Sequence, residues 1–190
     1  MRIITGKARG VRLQTLEGET TRPTAERVKE AVFSMLQFEI EDRQVLDLYA
    51  GSGQLGLEAV SRGAARAVLV DRSKDAVEII KKNALKTKLA LDCEIYCADA
   101  VEFLRSCRGK RCFDLVFLDP PYAKDSVPRA IRELIRYRAI GEGCTLVCET
   151  EDAAHVFDGD AELESRFTCL RSARYGIAHI TLLRMKGEDA

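Results

Sequence analysis

Val45-Leu46-Asp47-Leu48-Tyr49-Ala50-Gly51-Ser52-Gly53-Gln54-Leu55-Gly56 decides how this chain is read. Val45–Tyr49 is apolar apart from one acid and reads as a strand. Gly51–Gly56 is a glycine-rich turn, in a region where the backbone needs conformations that glycine enters without steric cost. Leu55–Ser61 then opens a helix. A strand, a tight glycine turn and a helix in immediate succession begin a βαβ unit.

The same rhythm continues toward the C-terminus. Ala67–Val70 reads as a second strand ending at Asp71, and Ser73 caps a helix to about Lys86 with Ala76, Val77, Ile80 and Ala84 inward. Cys93–Cys97, Asp114–Leu118 and Cys144–Glu149 are three further strands. Helices over Ala100–Arg105 and Ser126–Tyr137 separate them. Such alternation predicts a mostly parallel sheet with helices on both faces. The final segment differs. Phe167–Tyr175 and Ile177–Met185 read as strands joined almost directly at Tyr175-Gly176, which demands an antiparallel hairpin. The expected fold is α/β, about seven strands, closed by that hairpin. Residues 41–190 form the main domain.

Residues 1–40 read as a basic extension and a helix. Arg2-Ile3-Ile4 and Val11-Arg12-Leu13 are candidate short strands joined through Gly6 and Gly10. Thr24 is a candidate N-cap for a helix whose apolar stripe is Val28, Ala31, Val32, Met35 and Leu36. Arg2, Lys7, Arg9 and Arg12 fall in a stretch without an acid, followed by Arg22, Arg27 and Lys29. Local basic charge of this kind suits phosphate contact. On charge alone a solvated tail is the readier reading.

Acids mark the carboxyl end of the expected sheet. Asp47 lies in the first strand, and Asp71, Asp99 and Asp119 follow the next three. Singly, each passes as a turn or cap residue. Together they occupy the edge where open α/β sheets take ligands. Gly51, Ser52, Gly53 and Gly56 form a Gly-x-Gly-x-x-Gly turn, with Asp71 twenty residues beyond Gly51. That spacing reports an adenosine-type ligand held through ribose hydroxyls, with Arg72 alongside, and does not separate a dinucleotide from S-adenosylmethionine. Asp47 favours a cation over a pyrophosphate, and Asp99-Ala100 is placed to meet an adenine amino group.

Leu115-Val116-Phe117-Leu118-Asp119-Pro120-Pro121-Tyr122 carries the chemistry. A buried strand delivers an acid, two prolines and an aromatic ring to the ligand edge. Asp119 can accept a hydrogen bond from an exocyclic amine. The prolines stiffen the turn and lack N–H groups, leaving free carbonyl acceptors. Tyr122 offers a face on which a base can stack.

Composition sets the outer bounds. The chain has 190 residues with 30 basic and 30 acidic side chains, so overall charge does not call for a nucleic-acid partner. Its seven cysteines form no Cys-x-x-Cys pair and stand at no ligand spacing to His155 or His179, so no metal is expected. Cys93, Cys97, Cys144, Cys148 and Cys169 lie in apolar strand-like runs, which predicts buried, reduced thiols. Neither a signal peptide nor a membrane-length apolar run is evident. A cytoplasmic monomer without membrane contact is expected.

The layout resembles the class I methyltransferases, with their Rossmann-like sheet. More specifically, Asp47–Ala59 is similar to the cofactor motif of the RsmD-type 16S ribosomal RNA guanine-N2 methyltransferases, and Asp119–Tyr122 to their catalytic motif. The stretches Arg2–Gly10, Thr21–Phe33 and Arg174–Ile180 resemble their N-terminal signature and terminal hairpin. Thr5 and Gln54 depart from that pattern, Gln54 inside the cofactor loop. The resemblance implies S-adenosylmethionine as cofactor and methyl transfer to guanine N2, with 16S RNA or a small-subunit particle as partner. Asp119, Pro120 and Tyr122 are then catalytic, and Arg2, Lys7, Arg9, Arg12, Arg22, Thr24 and Arg27 contact RNA. Two rival readings are an adenine-N6 DNA methyltransferase and a non-catalytic RNA-binding assembly factor. A nicotinamide oxidoreductase leaves Asp119–Tyr122 without a role.

Overall fold

A computed structural model describes residues 1–16, 23–121 and 126–187, with side chains from 26 onward in the first helix. The strands are β1 (Gln44–Asp47), β2 (Arg66–Asp71), β3 (Cys93–Cys97), β4 (Phe113–Leu118), β5 (Ile140–Thr150), β6 (Phe167–Tyr175) and β7 (Ala178–Met185). They form one seven-stranded sheet in the order β3-β2-β1-β4-β5-β7-β6. Strands β1 to β5 pair in parallel, and β7 runs antiparallel between β5 and β6. The predicted sheet and closing hairpin are therefore present. The order reverses between β1 and β4, which makes that crevice the switch point where ligands of open sheets bind.

Helices α1 (Pro23–Met35), α2 (Gln54–Ser61), α3 (Lys74–Lys86), α4 (Ala100–Cys107), α5 (Ser126–Arg136) and α6 (Ala161–Ser165) cover the sheet. Strand alternation sorts the core into two clusters. Val45, Leu69, Phe117 and Val147 face α1, α2, α3 and the N-terminal segment. Leu46, Val68, Val116, Leu146 and Cys148 face α4 and α5.

Several elements differ from expectation. Helix α1 begins at Pro23, which suits a first-turn position, so Thr24 lies inside the helix rather than capping it. Its buried face is centred on Lys29, Val32, Phe33 and Leu36, with Ala31 and Met35 only half-buried. A charged residue hides that stripe from a hydrophobic count. Strand β5 starts four residues early, across a register shift between Phe113 and Leu115. A 3-10 turn at Ala153–Val156 and helix α6 were not foreseen, although Asp152 and Asp160 cap them through Ala154 N–H and Leu163 N–H. Of the cysteines expected to be buried, Cys97 and Cys169 are exposed and Cys93 is half-buried; all seven are free thiols.

Residues 1–16 do not hang free. Arg2 and Arg12 form an antiparallel bridge, and Ile3, Ala8 and Leu13 are buried in the same cluster as α1 and α2. The clamp is Glu58, fully buried on α2. Its carboxylate accepts Ile4 N–H at 2.7 Å and Thr5 N–H at 3.0 Å, and pairs with Lys29 at 3.3 Å and Arg62 at 2.9 Å. Lys29 also donates to the Arg2 carbonyl. It is thus buried and unavailable to a phosphate, contrary to its reading as part of a basic surface. Burial pushes its ammonium below the usual lysine range, with Glu58 opposing. One turn on, Ser61 accepts Ala8 N–H at 3.0 Å and donates to the Thr5 carbonyl at 2.6 Å. Gly6, at φ +85°, lies so close that a Cβ there would meet the Ser61 carbonyl oxygen at 1.7 Å.

Glu58→Ala strands a buried lysine and two backbone N–H groups. The expected cost is about 3–5 kcal/mol in urea unfolding. A loss below about 1 kcal/mol would contradict this role for the clamp.

Candidate active site

Backbone geometry builds the site around the glycine turn. Gly51 and Gly53 have φ of +53° and +78°, a region costly for residues with a Cβ. Gly53 and Gly56 do not line the cavity; they lie behind the loop. A Cβ on Gly53 would crowd Leu69 and Ile80 at 3.1 and 3.2 Å, and one on Gly56 would meet Leu69 at 2.9 Å. Their contribution is close packing of loop on sheet.

Three side chains hold the loop. Asp47 accepts Gly56 N–H at 2.9 Å, and Asp71 accepts Gly51 N–H at 2.9 Å and Ser73 N–H at 2.8 Å. Asn83 of α3 donates to the Ser52 carbonyl at 2.9 Å while exchanging bonds of 2.8 and 2.9 Å with the Gln14 backbone. Sequence reading missed Asn83. Its signal was an amide on the otherwise apolar inner face of α3.

The loop opens onto a cavity of about 540 Å³, within the usual size for a small-ligand site. Asp47, Gly51, Ser52, Asp71, Arg72, Asp99, Ala100, Asp119 and Pro120 all line it. So do Gln54, already placed in the cofactor loop, and Leu16, Tyr49, Arg129 and Glu149, none of these four anticipated as site residues. Tyr122 and Arg22 lie outside the described residues, as does the Thr24 side chain. Arg2, Lys7, Arg9, Arg12 and Arg27 are exposed.

Register explains why the acids converge. Asp47 pairs with Leu69 and Phe117, and Leu118 with Cys148. Asp71, Asp119 and Glu149 therefore share one level and one face, with Asp47 two residues deeper. Asp99 stands two residues past β3 and caps α4 through Val101 N–H and Glu102 N–H at 2.9 and 3.3 Å. Its Oδ1 thus serves the helix as well as the cavity.

S-adenosylmethionine fits this donor set better than a dinucleotide. Pyrophosphate sites in such loops need free backbone N–H groups. Here Gly51 and Gly56 donate to carboxylates, and Gly53 N–H bonds the Ala50 carbonyl at 2.6 Å. Among the described residues the lining has five acids against Arg72 and Arg129, which suits an ammonium and a sulfonium. Gln54 Oε1, buried without a hydrogen-bond partner among the described residues, would accept from a ligand N–H or O–H. Asp71 oxygens each keep a lone pair for a ribose hydroxyl.

Burial also tunes the site. Asp47 is 2 % exposed, and desolvation pushes its carboxyl up to about 7; Gly56 N–H opposes and the Asp71 charge assists. Tyr49 is pushed up to about 12, chiefly by burial and then by Asp99. Burial likewise raises the Glu149 carboxyl. A carboxyl raised on folding contributes stability below its unfolded pKa, and that contribution is lost as pH rises through the folded value. The ligand-free protein should therefore lose stability between about pH 4 and pH 7 through Asp47. Asp47→Asn should flatten the decline of the urea midpoint over that range. Parallel profiles for the two proteins would contradict the assignment.

A family model described as "Conserved hypothetical protein 95" matches residues 1–184. The chain is 30% identical to "Putative rRNA methyltransferase YlbH" of Bacillus subtilis over 98% of its own length and all of that protein. It is 36% identical to "Ribosomal RNA small subunit methyltransferase D" of Haemophilus influenzae, over 80% of this chain and 79% of that one. A solved structure described as "Putative methyltransferase yhhF from Escherichia coli" superposes with a TM-score of 0.86 at 30% identity, covering 99% of each chain. Similarity along nearly the whole length, together with the sheet order and the ligand edge, makes this chain a member of the Conserved hypothetical protein 95 family with a class I methyltransferase fold.

Proposed function

We propose that the protein is an S-adenosylmethionine-dependent methyltransferase that modifies the exocyclic N2 of a guanine in 16S ribosomal RNA. The observation that carries this reading is the shared cavity. Asp119-Pro120 at the end of β4 opens into the same space as Asp47, Asp71 and the glycine loop. Amine acceptor and cofactor cradle thus meet at the switch point. The names of relatives matched over most of their length supply the RNA class.

When bound, the cofactor supplies an electrophilic methyl group on a sulfonium. Asp47 offers the complementary charge, and Asp71 the ribose contacts. Guanine N2 is a weak nucleophile because its lone pair is delocalised into the ring. The Asp119 carboxylate and the Pro120 carbonyl accept its two N–H bonds, which favours rehybridisation and the positive charge that develops at nitrogen. On taking the methyl group N2 would shed a proton, with the Asp119 carboxylate or water as its acceptor. Tyr122 is the third member of the motif, with stacking as the role its resemblance implies. Orientation of N2 toward the methyl group is the larger part of the rate gain. A stacked, paired base cannot reach the cavity, so the target is unpaired or flipped.

Arg2, Lys7, Arg9, Arg12 and Arg27 form the exposed basic surface of this reading, and Arg22 and Thr24 complete the N-terminal contact set. The hairpin that carries the first four is held by Glu58 and Ser61, so its charges need little ordering on binding. Removing two phosphate contacts with Arg9→Ala and Arg12→Ala should flatten the log–log salt dependence of RNA binding by about 1.4. An unchanged slope would remove these residues from the interface.

The decisive assay uses labelled cofactor with unmethylated small-subunit particles, their naked RNA and duplex DNA, followed by digestion to nucleosides. The expected product is N2-methylguanosine from the ribosomal RNA. Label in N6-methyladenine from DNA would overturn the reading. Asp119→Ala should reduce turnover by at least about 100-fold with cofactor affinity retained. Full turnover in that variant would refute the mechanism.

A further inference from the structure

Glu149 belongs to the cavity but has no part in the chemistry above. It directly follows the last parallel pair of β5, two residues after Val147, on the face shared with Asp47 and Asp119. The Leu118–Cys148 register sets it level with Asp119 on the neighbouring strand. Adjacent strands run about 4.8 Å apart.

Sheet order separates its task from the cofactor's. From β3 across to β5, the cavity acids read Asp99, Asp71, Asp47, Asp119 and Glu149. The first three are tied by hydrogen bonds to backbone at the glycine loop or the start of α4. Glu149 lies two strands from the loop, on the far side of Asp119. The group it meets is therefore the methyl acceptor.

Guanine carries two neighbouring donors on one edge, the N2 amine and N1–H. Adenine has an acceptor at N1. Two acceptors on neighbouring strands, Asp119 for N2 and Glu149 beside it, match the guanine edge and oppose the adenine edge. We propose that Glu149 is the specificity-determining residue of this site: its carboxylate accepts the N1–H of the target guanine. This rests on the guanine-N2 reading. Half-burial of the carboxyl strengthens the discrimination, since a desolvated acceptor facing another acceptor has no water to compensate it.

The test compares guanosine with 2,6-diaminopurine, which keeps the N2 amine but has an acceptor at N1. Each is ligated into ribosomal RNA at the position the wild-type protein modifies, and the RNA is supplied in the form on which the wild type is active. Wild type should favour guanosine by about 100-fold or more in kcat/KM. Glu149→Gln presents an amide that can donate to N1 of the analogue, so the preference should fall to about tenfold or less. Its cofactor Kd should be unchanged.

Equal wild-type rates on the two bases would overturn the inference without recourse to any variant. So would an unchanged preference in Glu149→Gln. A folded Glu149→Gln protein with cofactor affinity weakened about tenfold would assign the residue to the cofactor instead. Absence of N2-methylguanosine with wild type on guanosine RNA would be a different failure, that of the guanine-N2 reading itself.

Discussion

Strand alternation in a parallel register is the constraint on which the site depends. Side chains repeat every two residues, so an acid contributes to the cavity only if its parity matches its neighbours'. Asp47, Asp71, Asp119 and Glu149 satisfy that condition across four adjacent strands. A one-residue slip of β5 would turn Glu149 into the apolar layer that holds Leu146 and Cys148. The edge of the sheet thereby becomes a row of carboxylates, and the reversal of strand order between β1 and β4 opens the space above them.

Converging acids repel, and desolvation penalises each charge. The fold responds by giving most of them backbone N–H partners. Gly51, Gly56 and Ser73 bind Asp47 or Asp71, and Val101 and Glu102 bind Asp99. The same bonds shape the glycine loop and start α4, so loop geometry and site charge are one design. Asp47 still carries a net penalty when empty, which a cationic ligand would relieve.

A second buried carboxylate does structural work of comparable weight. Glu58 gathers α1, α2 and the N-terminal hairpin through two cations and two backbone amides. Removing one partner would leave charge buried without compensation, which makes such clusters intolerant of single changes. The clamp also determines which basic residues face solvent. Lys29 and Arg62 are consumed inside, whereas Arg2, Lys7, Arg9 and Arg12 remain exposed. Asn83 extends the network by joining Gln14 to the Ser52 carbonyl, so the hairpin and the cofactor loop share a support.

Sequence by itself determined what local pattern controls. The alternation of apolar runs and glycine turns specified the parallel strands, and the direct joint at Gly176 specified the closing hairpin. Ser73 was legible as a cap, and Asp119-Pro120 as a polar turn after a buried strand. Only tertiary structure decided features that depend on distant partners. Lys29 reads as surface charge until Glu58 is beside it, 29 residues away. Glu149 reads only as the last residue of an apolar strand until the register with β4 sets it level with Asp119. Gly53 and Gly56 read as part of a ligand turn, and the close approach of Leu69 and Ile80 where their Cβ atoms would stand is invisible in the sequence. Periodicity and turn chemistry are encoded within a few residues. The neutralisation of a buried charge, the level of one strand against another and the space left for a Cβ are set by chain segments that meet only when the sheet closes.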